Sequence, residues 1–230
     1  MNLMMEPMME PIKGQMIGQM MGGNFIVDII FNILFVTFSF IIFFKTKEMY
    51  ELTKYRGIKY FRYSFLFLGL GYLIRALTGI FRFGLKNIFS QYHFPMRFFW
   101  AFPINFLGIL AIFYLFLSID WKFNYNEKND YLIYILALLL SIIFYLTKSY
   151  YIIILFQILS LIVVVIFHII KNRKSPKKMF ITYSFLLMLW ILNLFLIFPE
   201  RIFSLTTMII IQSISLIIMS YIFIKVIKWI

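Results

Sequence analysis

The stretch FIVDIIFNILFVTFSFIIFF at 25–44 decides the fold. It is twenty residues long and sixteen of them are apolar. A helix that crosses the hydrocarbon core of a bilayer needs about 20 such residues. In water the many Phe, Ile and Val would favour a strand. In lipid the backbone must bond within the segment, so a continuous apolar run is a helix. Directly after it comes KTKEMYELTKYRGIKYFR at 45–62, which carries six Lys and Arg. An apolar run closed by a basic run is the pattern of a membrane span with its cytoplasmic flank.

The same pattern recurs along the chain. Seven spans are expected at about 24–44, 61–81, 97–118, 130–147, 149–170, 179–198 and 204–225. Only Thr147-Lys148-Ser149 separates the fourth from the fifth, so these two form a tight hairpin. The expected fold is all-α, a polytopic bundle of seven transmembrane helices. It has two parts, a Met-rich flexible N-terminal tail over 1–23 and the seven-helix domain over 24–230.

Composition agrees. Of the 230 residues 63% are hydrophobic and 13% charged, with a mean hydropathy of +0.93. A soluble domain carries roughly 25% charged residues. The absence of Cys excludes disulfides, iron–sulfur clusters and thiolate zinc sites, and two His supply few imidazole ligands. No metal or other cofactor is expected beyond the copper possibility below.

The net charge of +13 comes from 22 Lys and Arg against 9 Asp and Glu. Fifteen of these basic residues fall on one set of connections: 45–62, 122–128, 171–178 and the C-terminal Lys225 and Lys228. Six fall on the other, from Lys13 and Arg82 to Arg201, and Arg75 lies within a span. The asymmetry puts the N-terminus outside and the C-terminus in the cytoplasm. It accounts for the charge without a nucleic-acid partner. The basic stretches 45–62 and 171–178 are expected on the cytoplasmic surface, in reach of anionic lipid headgroups. The first span is expected to serve as an uncleaved signal anchor in the cell membrane, because the order of a cleavable leader is missing.

Charges within spans are costly and usually face the bundle interior with a partner. Asp28, followed one turn later by Asn32, sits near the outer end of span one. Arg75 sits in span two, with Arg82 nearly two turns beyond it. Counted from the span centres, Asp28 and Arg75 differ in depth by only about 3 Å, so they are expected within pairing distance. Gly71, Arg75 and Gly79 share a face that admits a close neighbour. One reading is an outward-facing anion or carboxylate site. The other is an ion pair that fixes packing. Asn105, Gln157, His168, Asn193 and Gln212 are further candidates for the interior. The tail residues Met4, Met5, Met8 and Met9 offer soft sulfur ligands that suit Cu(I).

The sequence holds no Walker A loop, HExxH, GxSxG or Gly-rich dinucleotide loop. The seven-span layout is similar to that of the microbial rhodopsins, but their retinal-binding Lys has no counterpart in span seven, SLTTMIIIQSISLIIMSYIFI. It also resembles the three-plus-one-plus-three transporters, with YSFL at 63–66 repeated at 183–186. TKYRGIKYFRYSFLFLGLGYLIR at 53–75 resembles uncharacterised archaeal seven-helix integral membrane proteins, a resemblance that implies no activity.

Three function classes follow. The first is a membrane-embedded sensory or partner-binding module, which would need a separate protein partner for its output. The second is a small-solute transporter with a polar site around Asp28 and Arg75. The third is a lipid-modifying membrane enzyme. A water-filled central cavity joining Asp28 and Arg75 favours the second, and a dry, fully packed interior favours the first.

Overall fold

A computed structural model describes residues 10–84, 96–119, 128–147, 150–172, 177–195 and 204–228. These residues form seven α-helices. They are α1 (Glu10–Thr53), α2 (Arg56–Gly84), α3 (Met96–Ile119), α4 (Lys128–Thr147), α5 (Tyr150–Asn172), α6 (Lys177–Phe195) and α7 (Leu205–Ile227). Four are long and apolar enough, in their described parts, to cross a membrane: α1 from Phe25, α2, α3 and α7. Shorter described apolar stretches lie in α4, α5 and α6.

The helices outrun the apolar windows that mark them. α1 has 44 residues, about 66 Å of helix at a rise of about 1.5 Å per residue. That is twice the thickness of a bilayer core, roughly 30 Å. Its backbone is helical from Glu10, well before the expected start at 24. The stretch 45–62, read from sequence as a long connection, is instead the end of α1, a two-residue turn and the start of α2. Glu, Lys, Met and Leu are good helix formers, so the helix continues where the apolar pattern stops. Lys47 and Glu51 sit 3.6 Å apart, one turn from each other on this polar extension.

The turn itself is a left-handed cap. Lys54 has φ +51°, and its N–H bonds to the Tyr50 carbonyl at 2.8 Å. This is the single-bond αL ending of a helix, a position that favours Gly. The Tyr55 N–H bonds to Thr53 Oγ1 at 3.3 Å. Beyond the turn, Arg62 Nε donates to the Phe43 carbonyl at 3.2 Å while its guanidinium lies 4.8 Å from the Phe43 ring. At Gly69 a Cβ would stand 3.0 Å from the Ser39 Cβ, so glycine sets how closely α1 and α2 approach.

Six helices close a ring in the order α1, α2, α3, α5, α6, α7 and back to α1. α4 lies outside the ring against α3. There Tyr114 donates its hydroxyl to Tyr134 at 3.0 Å, beside Tyr60, Tyr63 and Phe67. α3 runs unbroken past Pro103.

The polarity of the bundle is inverted relative to a soluble protein. Its outer faces carry exposed Leu146, Leu155, Ile170 and Ile217. Its interior holds buried Asn32, Asn105, Gln157, Asn193, Gln212 and Ser215 beside Phe35, Phe65, Leu189 and Met219. An exposed apolar surface on this scale exceeds what a monomer in water shows.

Candidate functional site

Contacts between neighbouring helices fix the register of the interior. Phe35 of α1 stacks on Tyr72 of α2 with ring centroids 4.3 Å apart. The two helices are antiparallel, so Asn32, three residues before Phe35, lies level with Arg75, three residues after Tyr72. Asp28 of α1 accepts a hydrogen bond from Gln212 Nε2 of α7. Phe38 meets Phe223 at 5.1 Å. Ten residues on α1 thus match eleven on α7, which makes the pair parallel and puts Ser215 beside the level of Asn32. On α6, Phe185 meets Tyr221 of α7 at 4.6 Å. Counting back along these antiparallel helices puts Asn193 between Gln212 and Ser215 in level. Every helix of the ring thereby contributes a polar side chain to one half of the interior.

Within this layer is a cavity of about 80 Å³. α2 lines it with Phe67, Leu68, Gly71, Tyr72 and Arg75. Ile104, Asn105 and Gly108 of α3, Gln157 of α5, and Trp190 and Asn193 of α6 complete the wall. A single water needs about 10–15 Å³ by this measure, so the space takes a few waters or a small solute. Glycine lines it on two sides, where a Cβ would make ordinary contact. A Cβ at Gly71 would lie 3.8 Å from the Leu107 Cβ, and one at Gly108 would lie 3.7 Å from Gln157 Nε2.

The polar groups on this wall are incompletely used. Asn193 is only 8% exposed, and neither its Oδ1 nor its Nδ2 finds a hydrogen-bond partner among the described residues. A buried amide without partners costs about 1–3 kcal/mol. Arg75 is half-buried. The sole ion pair among the described residues is Lys47 with Glu51, so Arg75 has no carboxylate within reach there. Among the described residues the wall has no acidic side chain.

Several residues singled out from the sequence lie in this region. Arg75, Asn105, Gln157 and Asn193 converge on the cavity. Asp28 and Gln212 meet each other instead, across α1 and α7. Asn32 is buried near them, with its Oδ1 unpartnered. The expected approach of Asp28 to Arg75 does not occur. α1 and α2 run as continuous helices to a two-residue turn, and that register leaves Asp28 one turn beyond Arg75, about 6 Å along the axis rather than 3 Å. Gly71 and Arg75 share the cavity face, while Gly79 turns toward Phe25 of α1. Arg82 and His168 lie on the backbones of α2 and α5, and their side chains are outside the described residues, as are Met4, Met5, Met8 and Met9.

Tyr72, Gly108 and Trp190 were not singled out from sequence. The signal was there, because each stands three residues from a polar wall residue (Arg75, Asn105 and Asn193) and so shares its helix face. Among the described residues no group of three His, Cys, Asp or Glu could hold a metal.

No protein-family model matches the chain, and no solved structure matches it. The chain is similar to an uncharacterised protein of Archaeoglobus fulgidus, 26% identical over 172 residues, which cover 69% of this chain and 74% of that protein. The similarity is to an archaeal protein and takes in most of the chain. It brings no activity with it.

Proposed function

We propose that the protein is an integral membrane protein of seven spans that binds a small polar solute within its helix ring. The observation that carries this is Asn193, a buried amide on a cavity wall whose two polar atoms have no partner among the described residues. Packing alone would fill that position with an apolar side chain, since an unpartnered amide destabilises the fold. The apolar exterior and the ring of interior amides support the membrane setting. The distribution of Lys and Arg supports an outside N-terminus and a cytoplasmic C-terminus. Of the function classes above, this is the solute-transport reading, moved from an Asp28–Arg75 pair to the Arg75 cavity. The partner-binding reading keeps one specific support. α4 stands outside the ring and presents Tyr131, Leu132, Ile135 and Leu139 away from the protein.

The chain has no Cys, so introduced thiols report cleanly. Asn105→Cys and Asn193→Cys probe the cavity, and Ile135→Cys probes the lipid-facing side of α4. Treated in intact cells with a small charged thiosulfonate, the two cavity thiols are expected to react and the α4 thiol to stay protected. Protection at both cavity positions, with a reactive Glu10→Cys as the outer control, sinks the solute-binding reading.

A further inference from the structure

We infer that the cavity at Arg75 takes a small organic carboxylate, an inference that rests on the solute-binding reading above. Charge is the first argument. A guanidinium stays protonated in any protein environment, and within a bundle interior it needs a counter-charge. The described residues supply none. The described wall residues include no Asp or Glu, and Asp28, the described carboxylate nearest in level, accepts from Gln212 one turn away. On this reading the ligand brings the negative charge. A planar, forked donor such as Arg75 suits the two oxygens of a carboxylate.

The remaining wall decides which kind of anion. Asn193 offers an open donor and an open acceptor, so a ligand with a hydroxyl or carbonyl beside its carboxylate satisfies both. Asn105 and Gln157 add two further amides, and Phe67, Leu68, Ile104 and Trp190 give the wall an apolar side. An inorganic oxyanion would turn charged oxygens against that surface at a high desolvation cost. A short hydrocarbon part fits it. A cavity of about 80 Å³ matches a short acid better than one with a long acyl tail.

The test uses the purified full-length chain in detergent, with calorimetric titration at fixed pH and ionic strength. The probes are acetate, propanoate and 2-hydroxypropanoate, with propanamide, inorganic phosphate and octanoate as counter-probes. Expected is binding of at least one short acid with Kd near or below about 1 mM, and at least about tenfold weaker binding of propanamide. Arg75→Gln is expected to abolish the acid signal and Arg75→Lys to restore part of it, which separates charge recognition from misfolding. Asn193→Leu, which fills the cavity with a compatible apolar group, is expected to weaken the acids while raising Tm. Equal binding of propanamide and propanoate overturns the carboxylate assignment, as does binding of phosphate or octanoate alone. Silence from all the acids overturns it too. If Asn105→Cys and Asn193→Cys still react in that case, the solute-binding reading survives without it. If they do not, both fall.

Discussion

Asp28 and Arg75 are both charged groups set into an apolar bundle, and the chain treats them differently. Asp28 meets Gln212 of the facing helix, so its carboxylate has a donor supplied by the protein. Arg75, one turn away in level, borders a cavity and has no carboxylate within reach among the described residues. Both neighbourhoods contain buried amides and hydroxyls. In one, the charge itself has a donor from the protein, which ties α1 to α7, while Asn32 Oδ1 and Ser215 Oγ nearby stay without partners among the described residues. The other is left open, with Asn193 waiting on the wall. Burial of a charge is thus no guide to its role. The guide is whether the protein completes its hydrogen bonds.

Three substitutions test that difference, each read by unfolding in mixed micelles. The largest effect is expected from Gln212→Leu, which strips Asp28 of its donor and costs about 2 kcal/mol. A neutral result would mean that the Asp28 contact contributes nothing and that the contrast is false. Asn193→Leu acts in the opposite direction. It removes an amide that has no partner and stabilises the fold by about 1 kcal/mol. Destabilisation there would show that Asn193 is held by the protein after all. Tyr134→Phe sets the scale for an uncharged contact outside both sites. It loses the hydroxyl bond from Tyr114 and costs about 0.6 kcal/mol, the average for interhelical hydrogen bonds in membranes. A cost as large as that of Gln212→Leu would erase the distinction between a charged and a neutral tie.

The helices were legible because each apolar run is long and its boundaries are marked by charge. Thr147-Lys148-Ser149 was enough to divide α4 from α5. The beginning and end of α1 were not legible, since Glu, Lys and Met extend a helix without extending its hydropathy. Arg75, Asn105, Gln157 and Asn193 stood out as polar residues in apolar runs, and the structure brings them together. Their grouping without Asp28 was hidden, because it depends on a register set by a turn at Lys54 that no apolar pattern records. The aromatic part of the wall was hidden for another reason. Tyr72 and Trp190 lie among 30 Phe, 15 Tyr and 4 Trp, and composition does not tell wall from core.

The closure of the ring between α7 and α1 also has a meaning in time. Asp28 and Gln212 are 184 residues apart in the chain. At synthesis rates of about 5–20 residues per second, Asp28 emerges about 10–40 s before its donor. Under the membrane reading, the growing chain enters the bilayer with that carboxylate exposed and the first helix unclosed. A ribosome that stops short of α7 releases a bundle with an open seam and a bare acid in it.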